Sequence, residues 1–386
     1  MQLLWNDQQN KTWNQFAEIG HEVARRAPDL RGPGGLDHAA WRALTDAGLW
    51  QLPISRDLGG MGQSWWEFVA GFEGLASTAR DLGFLLSVLA HAGALRVVSE
   101  AGSDAQKEKF LPRLMRGDVA STAATEVHGG SDVSRVQTAA SIAGNELALS
   151  GRKTHITNAP IAEIFVIVGR VPSLGAKKDI TLFLLDRQAS GLSTGTPEEL
   201  LGHRTSPTGD IFLDKVPIGE ENILGPAGDG LTLLYQMLSF DRTLFGLISG
   251  SYARPIVQDA LALTASRESF GRPLQEHQYV QDKIVRMKTN MEIARFVSYA
   301  ALDELLRGRT NAALLSSIAK LVGSEGLCES AQEFLQLQGH AGYMEGEAGW
   351  IVRDTLATRI AGGTNEMQKV SIFNQLKHQS QGEALQ

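Results

Sequence analysis

Four short runs decide the architecture: residues 146–153 (ELALSGRK), 164–171 (IFVIVGRV), 180–187 (ITLFLLDR) and 211–218 (IFLDKVPI). Together they are rich in branched and aromatic residues, over lengths that suit strands. Turn-forming residues punctuate them: Asn145, Gly151, the SLG at 173–175 and the PTG at 207–209. The spacing predicts a small antiparallel β-domain over residues 119–226.

On both sides the texture is helical. In the LDHAAWRALTDAGLW segment, Leu36, Ala40, Leu44 and Ala47 share one face, with Asp37 at the start and Gly48 as the stop. Ser103 and Gln106 have capping-box spacing, which satisfies free amides at a helix start. Residues 1–118 are therefore predicted as an N-terminal α-helical domain. Beyond Asp229, apolar residues recur at three and four through residues 233–270 and 279–308, as in a helical bundle. Residues 227–386 are predicted as a C-terminal four-helix-bundle domain with a frayed QGEALQ tail. The fold class is α+β. No GxGxxG follows a strand and opens a helix, which argues against a Rossmann dinucleotide site.

Composition narrows the function classes. The chain has 386 residues, 43% hydrophobic, with a net charge of −7. It carries no basic block, which argues against nucleic acid. The longest apolar stretch, near Leu82 to Val98, is interrupted by Ser87, His91, Gly93 and Arg96. It is read as too broken for a membrane span. The MQLLWNDQQNK start lacks the pattern of a signal peptide. Cys328 is the only cysteine, so no intrachain disulfide forms, and a cytoplasmic location is expected. With no His or Asp constellation around it, Cys328 reads as a small buried apolar residue. No metal-ligand spacing is present.

Seven motifs occur in the order they take in one family: 52–63 (LPISRDLGGMGQ), 102–118 (GSDAQKEKFLPRLMRGD), 125–133 (TEVHGGSDV), 151–160 (GRKTHITNAP), 267–278 (RESFGRPLQEHQ), 336–343 (QLQGHAGY) and 362–368 (GGTNEMQ). Together they make the chain resemble the acyl-CoA dehydrogenases over nearly its whole length. The resemblance implies FAD as cofactor. A flavin needs a wall, backbone donors near its ring and exclusion of water. By resemblance, Thr125, Ser131, His155 and Thr157 contact it from the β-domain. Arg267, Phe270, Gln278, Gln336 and Gly339 reach a flavin bound mainly by a neighbouring subunit, while Thr364 and Glu366 belong to the loop over the ring. Such sharing implies a homo-oligomer, a tetramer or a dimer. His155 stands where the family usually has Trp, and His128 where a small residue is common. His155 reads either as a reshaped wall or as an opening for a bulkier or polar acyl group.

The segment RIAGGTNEMQ (359–368) lacks something. Many relatives carry there the glutamate that removes the substrate's α-proton; here the position is Gly362. Members similar to isovaleryl-CoA dehydrogenase carry the acid on the first long C-terminal helix, directly before an arginine. Counting back from the 267–278 motif puts Asp241 and Arg242 at those positions, in SFDRTLF. Asp241 is the candidate base, with Ser131, Arg242 and Gly363 toward the substrate. An aspartate sets its carboxylate back by ~1.5 Å relative to glutamate, a displacement that can cost about a hundredfold in rate. The other reading of Asp241 is a structural pair with Arg242.

The resemblance implies α,β-dehydrogenation of an acyl thioester, with an electron-transferring flavoprotein or oxygen as acceptor. Residues 158–169 (NAPIAEIFVIVG) are locally similar to prolyl-carrier-protein dehydrogenases. Acyl-CoA and acyl-carrier-protein thioesters both remain open, since both present the same pantetheine. A flavin monooxygenase needing no carboxylate base, and a non-catalytic flavin- or acyl-binding homologue, are the alternatives.

Overall fold

The structure, a computed structural model, describes residues 4–32, 35–143, 146–172 and 179–383. The turn residues Asn145 and Ser173 to Gly175, and the last three residues of the tail, lie outside them.

The chain opens with five helices: α1 (Asp7–Arg31), α2 (His38–Asp46), α3 (Trp65–Ala76), α4 (Leu82–Ala101) and α5 (Asp104–Met115). Their starts are chemically encoded. Asn6 with Gln9, Ser64 with Glu67, and Ser103 with Gln106 form reciprocal capping boxes. Asp37 caps α2 by accepting from the Ala40 N–H. Gly48 follows α2 with φ +83°, a conformation that L side chains resist.

The apolar stretch at Leu82 forms a continuous helix. By length and composition α4 is apolar enough to cross a bilayer, which corrects the expectation from its polar interruptions, but 89% of that stretch is buried inside the protein. Ser87, His91, Gly93 and Arg96 are all buried and face other parts of the fold. Burial holds the His91 imidazole far below its usual value, at about 3. Its Nδ1 accepts from the Ala120 N–H at 3.2 Å, which ties α4 to the first strand.

The strands are β1 (Ala120–Ala123), β2 (Ala139–Ala143), β3 (Glu146–Thr157), β4 (Ile164–Arg170), β5 (Ile180–Asp186), β6 (Leu192–Thr194), β7 (Thr208–Ile218) and β8 (Ile223–Leu224). They form one sheet in the order β6-β7-β3-β2-β4-β5-β8. Pairing is antiparallel throughout, with two exceptions. β1 runs parallel to β4, and β2 meets β4 at a single parallel step, Ala139 with Arg170. β4 reads as an unbroken apolar run because both its faces are covered. Ile164, Val166 and Val168 join the large helical core, while Phe165 and Ile167 join a smaller core inside the β-domain.

Five helices follow: α6 (Gly230–Ser266), α7 (Gln278–Leu306), α8 (Ala312–Gln338), α9 (Glu347–Thr358) and α10 (Asn365–Glu383). A two-stranded hairpin, β9 (Glu268–Ser269) and β10 (Arg272–Pro273), sits between α6 and α7. Buried Glu73 locks the two helical regions together. It accepts from Trp5 Nε1 (2.8 Å), Arg295 Nε (2.7 Å) and the Tyr299 hydroxyl (2.6 Å). Cys328 is buried, and its thiol donates to the Thr355 carbonyl.

Candidate active site

The end of β3 is pinned before it can carry any chemistry. Asn158 adopts φ +66° and donates through Nδ2 to the carbonyls of Ser87 (3.1 Å) and Ala120 (3.2 Å). Ser121 Oγ donates to the Thr157 carbonyl at 2.7 Å. Thr157 is thereby fixed against α4 and β1.

Beside it a cleft of ≈ 580 Å³ opens between the 125–131 loop and β3, with Thr125, Gly130, Thr154 and His155 in its lining. The Thr154 hydroxyl is enclosed and meets no hydrogen-bond partner. Beneath the cleft, Lys153 Nζ lies 2.8 Å from Glu126 Oε1. Burial pushes Lys153 down to about 8, against the pull of Glu126. Burial alone would raise Glu126, yet hydrogen bonds from Lys153, Thr138 and the Gln137 N–H hold it below its ordinary value. This pair sets the loop that carries Thr125 and Ser131, and nothing in its spacing marked it in the sequence.

His155 is set by the backbone. β3 shifts register against β7 between Lys153 and Ile156, and His155 has φ +58°. The ring turns to the cleft rim, where Nδ1 lies 3.0 Å from Glu198 Oε1. His128 is exposed on the loop.

Asp241 lies on α6 facing α4. Part of the residue reaches the surface, but Oδ1 is enclosed and has no hydrogen-bond partner. Burial raises the carboxyl from 3.8 to about 7, with Arg96 and Arg242 opposing. Room for it comes from a missing side chain: a Cβ on Gly93 would stand 2.5 Å from Oδ1. One turn earlier on α6, Met237 Sδ lies 3.8 Å from Thr122 Oγ1 on β1. This part of α6 therefore packs against the strand that leads into the Thr125 loop.

The loop before α10 is held from three sides. Arg242 Nε points at the Gly362 carbonyl (3.4 Å), and Gln368 Nε2 donates to the Gly363 carbonyl (2.9 Å). Buried Lys320 donates to Asn365 Oδ1 at 2.7 Å. Gly362 has φ +69°, and a Cβ there would meet the Phe245 ring at 2.8 Å. The loop position used for an acid in many relatives is thus closed by both backbone and packing. Thr364 Oγ1 accepts from the Met367 N–H, and Glu366 points to solvent.

The remaining cofactor candidates form a separate, exposed group around the hairpin and the C-terminal end of α8. Arg267 Nη1 donates to the Gln338 carbonyl (2.8 Å), and Gly339 adopts φ +61° beneath the guanidinium. Phe270 is 96% exposed, and Gln278 and Gln336 are exposed too.

Models of the acyl-CoA dehydrogenase N-terminal, middle and C-terminal domains match residues 7–118, 121–216 and 228–377. The chain belongs to the acyl-CoA dehydrogenase family. It is 30% identical over 357 residues to cyclohexane-1-carbonyl-CoA dehydrogenase of Geobacter metallireducens, covering 92% of this chain and 93% of that protein. It is 29% identical over 381 residues to the human very long-chain specific mitochondrial enzyme, covering 94% of this chain but only 58% of the length of that relative. The crystal structure of the prolyl acyl carrier protein oxidase AnaB superposes with a TM-score of 0.90 at 28% identity, over 97% of this chain and 100% of that one.

Members of this family are FAD-dependent oxidoreductases acting on CH–CH groups, and FAD is the cofactor that membership brings. The residues fit it. The cleft has the volume for a ring system, and Thr125, Gly130, Thr154 and His155 line it.

Proposed function

We propose that this protein desaturates an acyl thioester between Cα and Cβ, with Asp241 as the base. The observation that carries the reading is the enclosed, unpartnered Asp241 Oδ1 of a carboxyl raised to about 7, together with a Gly362 position whose backbone and packing oppose a side chain. A carboxylate in a dry site gains basicity, which abstraction of a weakly acidic α-proton demands. Asp241 takes that proton. Arg242 holds the Gly362 loop in register against it. Thr125, Ser131, Thr157, Thr364 and the rim residue His155 would hold the flavin and thioester. When bound, FAD supplies the hydride acceptor for Cβ.

Similarity to the carrier-protein oxidase supports a thioester on a pantetheine arm, and the coenzyme A relatives present the same arm. An oligomer is supported by the exposure of Arg267, Gln278 and Gln336 among large apolar side chains. Phe270 is 96%, Tyr343 84% and Phe373 67% exposed, as expected of a surface another subunit covers. Arg267 and its neighbours would then complete a partner's flavin site.

The test is anaerobic mixing of FAD-loaded protein with a panel of acyl-CoA and acyl-carrier-protein thioesters, following flavin absorption and the product. Bleaching with formation of the enoyl thioester is expected. Labelled oxygen in the product, with no alkene, would replace the reading with an oxygenase.

A further inference from the structure

Proton abstraction leaves one feature beside Asp241 without a use. Arg96 on α4 is 9% exposed. Its Nε donates to Glu100 Oε1 at 2.7 Å, and its guanidinium carbon lies 4.6 Å from the Phe240 ring centre. Nη1 is enclosed and donates to nothing. Arg96 walls a cavity of ≈ 20 Å³ between α4 and α6, together with Gly93, Glu100, Gln236 and Met237. Gly93 is the residue whose missing Cβ makes room for Asp241 Oδ1. The cavity therefore shares its Gly93 wall with the base and lies between the same two helices.

An arginine keeps its proton and offers only donors. Glu100 and the Phe240 ring hold the guanidinium in place, and a buried donor without an acceptor is costly. Whatever fills the cavity must bring an acceptor. The space suits one or two water-sized groups, too few for a long alkyl chain. Three residues along a helix span about 4.5 Å, so an acceptor at Arg96 lies roughly three or four bonds beyond a carbon held at Gly93 and Asp241. Charge narrows it further. Arg96 is already paired with Glu100, and Asp241 faces the same region, so a carboxylate there would be a surplus buried negative charge.

We propose that this cavity receives the far end of the acyl group, and that Arg96 Nη1 selects a short chain carrying an uncharged hydrogen-bond acceptor, an oxo or hydroxyl oxygen, over a plain alkyl chain of equal length. This rests on the thioester reading above and adds the chemical class of the acyl group.

The experiment measures dissociation constants of pantetheine thioesters from the shift in flavin absorption. It uses FAD-loaded Asp241→Asn protein, so that binding is read without turnover. The 4-oxopentanoyl thioester should bind at least tenfold tighter than pentanoyl, with glutaryl weaker than 4-oxopentanoyl. Adding Arg96→Met should bring the oxo preference to about one while FAD content is unchanged. Equal binding of the oxo and plain chains, a preference that survives Arg96→Met, or tighter glutaryl binding would overturn the proposal. Should Arg96→Met not hold FAD, Glu100→Gln serves instead. Freeing the Arg96 charge should raise glutaryl affinity relative to pentanoyl, and no gain would overturn the assignment. Failure of every thioester to bleach wild-type flavin would sink the dehydrogenase reading, but would leave the binding ratio as a separate result.

Discussion

Replacing Asp241 with Asn should stabilise the protein, and more so as the pH rises. Burial lifts this carboxyl from 3.8 to about 7. Between those values the folded state holds a proton that the unfolded state has released. Below pH 3.8 the group costs nothing extra. As the pH climbs toward 7 its contribution to stability falls, and above about 7 the full penalty applies. A rise from 3.8 to about 7 corresponds to about 4 kcal/mol. Asn has nearly the same volume and no charge to bury, so the variant escapes the penalty. Thermal unfolding of the FAD-loaded proteins, followed by circular dichroism and flavin release from pH 5 to 9, reads the difference. The variant should melt higher by a smaller margin at pH 5, where about a third of the penalty applies, and by several degrees at pH 8. A gap that shrinks with rising pH, or a variant less stable by a constant amount, would refute the reasoning that Asp241 is held in the fold at the expense of its ionisation.

Other consequences follow from the same geometry. Gly93→Ala puts a methyl group 2.5 Å from Asp241 Oδ1; flavin bleaching by substrate should slow by at least tenfold with FAD content intact, and an unchanged rate would mean the carboxylate does not work from that position. Gly362→Glu in the Asp241→Asn background should not restore bleaching. Its φ of +69° and the Phe245 ring at 2.8 Å oppose any side chain, with a backbone cost of about 1–2 kcal/mol; recovered activity would show that the loop can still host the base. Arg267→Ala should lower FAD retention on gel filtration and shift the oligomer toward smaller species together, and loss of neither would remove Arg267 from a shared site.

Much of the fold was legible because local chemistry and periodicity agree with tertiary structure. The four β-runs became β3, β4, β5 and β7, and the Ser103–Gln106 spacing became a capping box. What the sequence could not convey depends on neighbours distant along the chain. β1 pairs in parallel with β4, across the β2–β3 hairpin, and a four-residue strand carries no sign of its direction. α4 looked interrupted, because the use of its polar residues as bonds to β1 and the 203–206 region appears only in three dimensions. At the site, the absence of an acid at Gly362 was visible, but the reason for it, Phe245 lying across the position, was not. His155 stood out as an unusual residue, yet its outward turn to Glu198 follows from a bulge that spacing does not encode. The Arg96 donor left without an acceptor has no signature in a linear chain at all.

The central claim is that Asp241 takes the α-proton, and the most direct measurement is the anaerobic rate of flavin bleaching by a thioester substrate in wild-type and Asp241→Asn proteins of equal FAD content. The account predicts a fall of two or more orders of magnitude, the contribution expected of a positioned general base, and a wild-type rate that rises with pH through about 7 as the carboxyl ionises. An Asp241→Asn protein that bleaches at the wild-type rate would contradict it.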